Sequence, residues 1–313
     1  MPRKLVIDTD PGQDDAVAIL LALASPDEFE VLGIVAVAGN VELAQSAGNA
    51  LKVVELSGRT DVPVYAGCEH PIRRKLVTAR HVHGKSGLDG PDLPEPRIKL
   101  QPTHGVDFIV GALRVHEPGE VTLATLGPLT DIAMALVKAP EVASRVKEIV
   151  MMGGAYFEVG NITPSAEFNI FVDPEAADIV FRSGIPIVQV PLDVTHQALT
   201  TKQRLAAFRE LGNRAGAAVA DMLEFSQRFD LSKYGNLGAP LHDPCTIAYL
   251  LKPSLFEGRQ INVTVETASE LTMGMTVADY WRITDRPKNV NFLRHIDAEG
   301  FYALLMERLE FLP

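Results

Sequence analysis

Four carboxylates, Asp8, Asp10, Asp14 and Asp15, stand within eight residues of one another near the N-terminus. So much like charge in so short a stretch is tolerated where a cation, bound protons or a helix N-terminus compensates it. Asp14 and Asp15 fit in part as acids that open a helix, and strand alternation sends Asp8 either toward the common rim or away from it. Asp10 and Asp15 are harder to explain structurally, because Pro11 and Gly12 let the chain turn back so that both carboxylates reach one ion. A hard, oxygen-only set selects Ca2+ or Mg2+ over zinc. The spacing is not that of an EF-hand, since Pro11 falls where that loop admits none.

Two later groups carry complementary chemistry. Between Gly238 and Pro244, Asp243 beside His242 is either a helix cap or a distant carboxylate that completes an oxygen cage. His242 then suits a general acid, since imidazole titrates near neutral pH. Between Asn161 and Asn169, the two Asn and Glu167 are either turn formers or a set of donors and acceptors suited to vicinal hydroxyls, which points to a polyol or sugar. His81 and His83 form an H-x-H pair, but no Cys or further His stands at zinc-ligand spacing.

The elements that must position these groups follow from alternating patterns. Apolar runs of strand length at Leu5–Ile7, Val31–Val37, Val121–Thr125, Ile149–Met151, Ile187–Val190 and Ile261–Val265 are interleaved with helical periods. The helices are read at Asp15–Ala24, Glu42–Leu56, Val106–Val115, Leu129–Val137, Pro174–Phe181, Lys202–Leu211, Ala215–Phe229, His242–Leu251 and Ala298–Leu309. Such alternation predicts an α/β fold with an open, mainly parallel, doubly wound sheet of Rossmann-like type. In open parallel sheets ligands bind beyond the carboxyl ends of the strands. Here those ends are followed by Asp8 to Asp15, Gly39–Asn40, Leu126–Gly127 and Met152–Gly154, which would converge on one rim. Residues 66–103 lack periodicity and are too long for an idle connection, so a lid or active-site loop is expected. The segment from Gln227 and Arg228 through Tyr234 to Gly238 reads as a loop. No repeat or polar linker divides the chain, and a single domain spanning 1–313 is expected.

Composition narrows the partners. The 313 residues carry 29 Lys plus Arg against 40 Asp plus Glu, a formal net charge of −11, which repels phosphate backbones and argues against nucleic acid. No apolar run approaches the ~18–20 residues of a membrane span, and MPRKLVIDTD has no signal-peptide pattern. With 47% hydrophobic residues and two cysteines, Cys68 and Cys245, the chain reads as a soluble globular protein of the cytoplasm without a disulfide framework.

DTDPGQDD from Asp8 to Asp15, with MGG, NITPSAEFN and PLHDP after it in that order, resembles the nucleoside hydrolases of the inosine- and uridine-preferring type, over essentially the whole chain. The resemblance implies a calcium-dependent N-ribohydrolase that separates a nucleobase from ribose. It implies Ca2+ ligation by Asp10, Asp15, Asp243 and the backbone carbonyl of Leu126, with Asp10 also the base that takes a proton from the attacking water. Asp14, Asn40, Asn161, Glu167 and Asn169 would hold the ribose hydroxyls, with Met152 beside the sugar. His242 would protonate the leaving base, while His83, Phe168 and Tyr234 would flank it. The resemblance also implies a homo-oligomer, a tetramer or dimer. Two rival readings stand beside it: a Mg2+-dependent phosphotransferase of the haloacid-dehalogenase kind, since Leu5–Asp10 is also a strand ending in D-x-D, and a ribose- or nucleoside-binding protein without turnover.

Overall fold

The computed structural model describes residues 1–234 and 238–313, with positions 230 and 232–234 described in their backbone alone. In chain order the strands are β1 (Arg3–Thr9), β2 (Phe29–Ala36), β3 (Val64–Ala66), β4 (Val121–Thr125), β5 (Val146–Met152), β6 (Ile187–Val190), β7 (Leu199–Thr200), β8 (Ala239–Pro240), β9 (Phe256–Ile261), β10 (Val263–Val265), β11 (Thr276–Ala278) and β12 (Val290–Ile296). The helices are α1 (Gln13–Leu23), α2 (Leu43–Ser57), α3 (Arg80–His83), α4 (Gly105–Val115), α5 (Thr130–Lys138), α6 (Phe168–Val172), α7 (Pro174–Phe181), α8 (Leu192–Thr195), α9 (Lys202–Glu210), α10 (Arg214–Tyr234), α11 (Pro244–Leu251) and α12 (Ala298–Leu309).

Eight strands form one sheet in the order β3-β2-β1-β4-β5-β6-β12-β9. Every pairing in it is parallel except the last, where β9 runs antiparallel to β12. The order reverses between β1 and β4, and that is the switch point where an open α/β sheet leaves a crevice for a ligand. Asp8 lies opposite both Val35 of β2 and Thr125 of β4, so β1 enters the crevice from the middle of the sheet.

Both faces of the sheet are covered, as parallel sheets require. Leu5 and Ile7 of β1 point into one apolar layer with α1, α10, α11 and α12. Val6 points into the other, with α4, α5 and α7. From Ala16 to Leu23, α1 is buried throughout, because it is sandwiched between the sheet and other helices. Burying its Val, Ile and Leu side chains contributes about 1.5–3 kcal/mol each. The two-residue period that sends Val6 to the second layer also sends Asp8 there, away from the rim.

Several boundaries differ from the sequence reading. Residues 67–103 have one short helix, α3, and are otherwise irregular, but they are fastened to the body: Cys68 N donates to Asp131 (2.8 Å), Ile72 N to Asp173 (2.8 Å), and Asn49 Nδ2 to Ser86 O (2.9 Å). The stretch from Gln227 that reads as a loop continues α10 to Tyr234. The strand read at Ile261–Val265 is two strands, β9 and β10, and β12 has no counterpart in the reading. Among the described residues, no helix is long and apolar enough to cross a membrane.

Candidate active site

The turn after β1 is organised by Asp15. Its Oδ1 accepts from Thr9 Oγ1 (2.6 Å) and Asp10 N (3.3 Å), and its Oδ2 from Gly12 N (3.0 Å) and Asn40 Nδ2 (3.3 Å). A carboxylate in the first turn of α1 thereby folds Pro11 and Gly12 back toward the strand end, as their types predict. Asp10 Oδ2 accepts from Asn40 N (2.7 Å), while Asp10 Oδ1 is buried with no hydrogen-bond partner. A Cβ on Gly39 would collide with Asp10 Oδ2, and one on Gly127 with Asp10 Oδ1. Neither glycine has positive φ; both are small so that Asp10 can lie between the ends of β2 and β4.

Asp243, at the start of α11, closes the group. Carboxylate oxygens of Asp14, Asp15 and Asp243 lie within 4.8 Å of one another, and Asp10 adds its charge to the same cluster. Asp10, Asp15 and Asp243 are buried and Asp14 partly so. Burial, then the neighbouring Asp15 charge, pushes Asp10 well above the carboxylate range. Burial, then Asp14, Asp15 and Asp10 in turn, does the same to Asp243. Among the described residues no Lys or Arg lines the cavity above them. Like charges so placed need a cation or protons, and an all-oxygen donor set with one unpartnered buried oxygen fits a hard divalent ion.

That cavity, of about 870 Å3 with its mouth included, is lined on the floor side by Asp14, Asn40, Leu126, Met152, Asn161, Glu167, Asn169, His242 and Asp243. Glu167 caps α6, accepting from Asn169 N (2.9 Å), Ile170 N (3.3 Å) and Gly154 N (2.9 Å); burial outweighs these bonds and raises it to about 7. Asn169 Nδ2 donates to the carbonyls of Leu126 (2.6 Å) and Met152 (3.2 Å), joining the ends of β4 and β5. Asn161 Oδ1 accepts from Phe168 N (2.8 Å). His242 Nδ1 lies 2.7 Å from Thr195 Oγ1.

The far wall is apolar and aromatic. Ala79, His81, Val82 and His83 come from the segment around α3, Ile162 from the loop before α6, Phe168 from the start of α6, and Leu223, Ser226 and Phe229 from α10. His81 meets Phe229 edge-on, with ring centroids 5.3 Å apart. His83 Nδ1 is 2.6 Å from Gln13 Oε1.

The structure thus brings to one cavity or its floor every residue that the sequence assigns to the metal, the sugar or the base except Tyr234, whose side chain lies outside the described residues. Asp8 does not join them: it faces Asp131 on the other side of the sheet, two buried carboxyl groups that can bond only by sharing a proton. His81 and His83 do not form a metal group, since His81 packs on Phe229 and His83 on Gln13. Gln13, Thr195 and Phe229 have no role assigned from the sequence. Gln13 stands inside the first motif, and Thr195 lies in α8 just beyond β6, where the strand-end rule would have pointed to it. Phe229 carries no signal beyond being an apolar residue late in a helix.

Residues 5–303 match the sequence pattern of the inosine-uridine preferring nucleoside hydrolases. The chain belongs to that family. The family match decides against the phosphotransferase, and the chain is a nucleoside hydrolase. An uncharacterized protein of Schizosaccharomyces pombe is 55% identical over 99% of this chain and 100% of its own length. A pyrimidine-specific ribonucleoside hydrolase of a Shewanella species is 46% identical over 99% and 96%. Among solved structures, a purine-preferring ribonucleoside hydrolase from Gardnerella vaginalis superposes with a TM-score of 0.92 at 35% identity, covering 98% of each chain.

Proposed function

We propose that this hydrolase cleaves the N-glycosidic bond of ribonucleosides with Ca2+ held by the side chains of Asp10, Asp15 and Asp243 and the Leu126 carbonyl. The observation that carries this reading is the buried, unpartnered Asp10 Oδ1 beside a carboxylate cluster with no basic side chain in the cavity wall among the described residues. Asp14 belongs to the same cluster but is the more exposed and lines the cavity, so it is assigned to the sugar. When bound, the ion orients a water and lowers its pKa.

The chain's own residues do the rest. As the C1′–N bond breaks, its electron pair goes to the base nitrogen, which takes a proton from His242. Water adds to C1′, and Asp10 accepts the proton that water gives up. Positive charge builds on the sugar in the transition state, and the carboxylate floor stabilises it. Asn40, Asn161, Glu167 and Asn169, with Asp14, hold the ribose hydroxyls, Met152 lies beside the ring, and His83, Phe168 and Tyr234 flank the base.

Pyrimidine ribonucleosides are the favoured substrates in this reading, because the relative named pyrimidine-specific is 46% identical while the purine-preferring structure is 35% identical. The whole chain acts as one domain and assembles as a homo-oligomer. The test is release of reducing sugar and free base from uridine, cytidine and inosine, before and after chelation. Loss of turnover on chelation and its return with Ca2+ are expected; turnover unchanged after verified metal removal overturns the metal reading. Light scattering reads the assembly state.

A further inference from the structure

Gln13 stands next to the turn at the floor of the cavity and is almost fully buried. Its Nε2 donates to two backbone carbonyls, His83 O and Asp89 O, each at 3.0 Å. A carbonyl only accepts, so the amide cannot be turned round: both acceptors need its NH2 group. Its Oε1 is therefore the atom 2.6 Å from His83 Nδ1, and since an amide oxygen only accepts, Nδ1 must carry the proton.

We infer that Gln13 is a positioning residue that fixes neutral His83 as the Nδ1–H tautomer, so that Nε2 offers a lone pair to a hydrogen-bond donor of the nucleoside. Three further observations agree. Nε2 makes no hydrogen bond among the described residues, and His83 lines the cavity. The Nδ1–Cε1 edge of the ring packs against Gly12, where a Cβ would overlap both atoms, so the ring is held in place from that side. Burial lowers the imidazole below its usual range, which favours the neutral ring. The same two bonds tie the segment that carries His83 to the first turn of α1, so one buried amide sets both the place of the ring and its proton.

The inference rests on the proposed cleavage of nucleosides and specifies their recognition: the group facing His83 is an O–H or N–H, not a carbonyl oxygen. The donor is either the sugar's 5′-hydroxyl or an amino group on the base. Neutron diffraction of the whole protein reads the ring directly. A proton on Nδ1 and none on Nε2 is expected, and a proton on Nε2 overturns the inference whether or not the enzyme turns over nucleosides.

The functional arm uses Gln13→Met, which keeps the length and burial of the side chain. It is expected to raise KM at least tenfold while kcat changes less than threefold, as lost positioning of a binding group would. Uridine is compared with 5′-deoxyuridine, and cytidine with the riboside of pyrimidin-2-one, which lacks the amino group. The pair whose kcat/KM ratio collapses toward one in Gln13→Met identifies the donor. Unaltered ratios in both pairs, or a loss confined to kcat, overturn the inference; absence of any turnover in the wild type overturns the proposed function and leaves the neutron result to stand alone.

Discussion

The floor of the cavity and its far wall are built by different means. The floor is made of strand ends and helix starts: Asp10 after β1, Leu126 after β4, Met152 at the end of β5, Asp243 before α11. Its polar atoms are held by a mesh of short-range bonds centred on Asp15 and Asn40. The wall is made of an irregular segment and the late turns of a long helix, and its contacts are ring edges and aliphatic side chains such as His81 on Phe229. Precise geometry is carried by the part anchored in the sheet, where a shift of an ångström would cost much of the rate. Shape is carried by the part that can change residue by residue without disturbing the sheet.

The sharpest way to break this contrast is at Asp10. Asp10→Asn removes a base and a charged ligand together, and kcat/KM for ribose release should fall by at least about 10⁴-fold, roughly 5 kcal/mol; a rate within tenfold of wild type would show that the floor does not do the chemistry. Next comes His242. His242→Ala should slow nucleosides by about 10²–10³-fold and 4-nitrophenyl riboside, whose leaving group needs no proton, far less. Thr195→Val, which removes the hydroxyl on His242 Nδ1, should show the same pattern about tenfold more weakly, with Thr195→Ser close to wild type. Equal losses on both substrates would remove His242 from the acid role.

On the wall the expected effects are smaller and of another kind. Phe229→Ala should change the ratio of uridine to inosine kcat/KM by about tenfold, in keeping with the 1–3 kcal/mol that apolar pockets discriminate, with kcat on the better substrate nearly unchanged. A fall in kcat comparable to that of Asp10→Asn would erase the distinction between the two regions.

The last effect concerns stability rather than rate. Burial raises Glu167 to about 7 from its ordinary 4.5, so the folded state holds this proton more tightly than the unfolded chain. Its contribution is present below about pH 4.5 and is lost as pH rises through 7, a difference of roughly 3 kcal/mol. Chelated protein should therefore melt several degrees lower at pH 8 than at pH 5, measured by calorimetry. Glu167→Gln should flatten this part of the profile; an unchanged profile would remove Glu167 as its source.

Much of this was legible in the chain because the floor obeys one rule: polar residues after each parallel strand face one rim. Applied to the first four strands read, it found Asp10, Asn40, Leu126 and Met152; applied to the end of β6 it would also have found Thr195. Asp243 was visible as an acid at a helix start and Glu167 as one in a non-periodic segment, but nothing local showed that Asp15 and Asp243, far apart in the chain, meet. The fold was legible where apolar runs were buried on both faces. It was not at β9, whose middle four residues are exposed because it is an edge strand, or at β12, where Arg294 and His295 interrupt the apolar run. The wall was illegible for the same reason it is adaptable: Phe229 and Val82 are ordinary apolar residues that gain meaning from what they face.

The segment between β3 and α4 is sewn down along its length. Besides the bonds at Cys68, Ile72, Ser86, His83 and Asp89, Arg74 is paired twice with Glu175 (2.9 and 2.8 Å), and Ile98 N is held by Glu55 (2.7 Å). A flap that swung open as one piece would have to break stitches to α1, α2, α5 and α7 together. Traffic into the cavity is thus more cheaply admitted by turning a few side chains aside at its rim than by lifting a door.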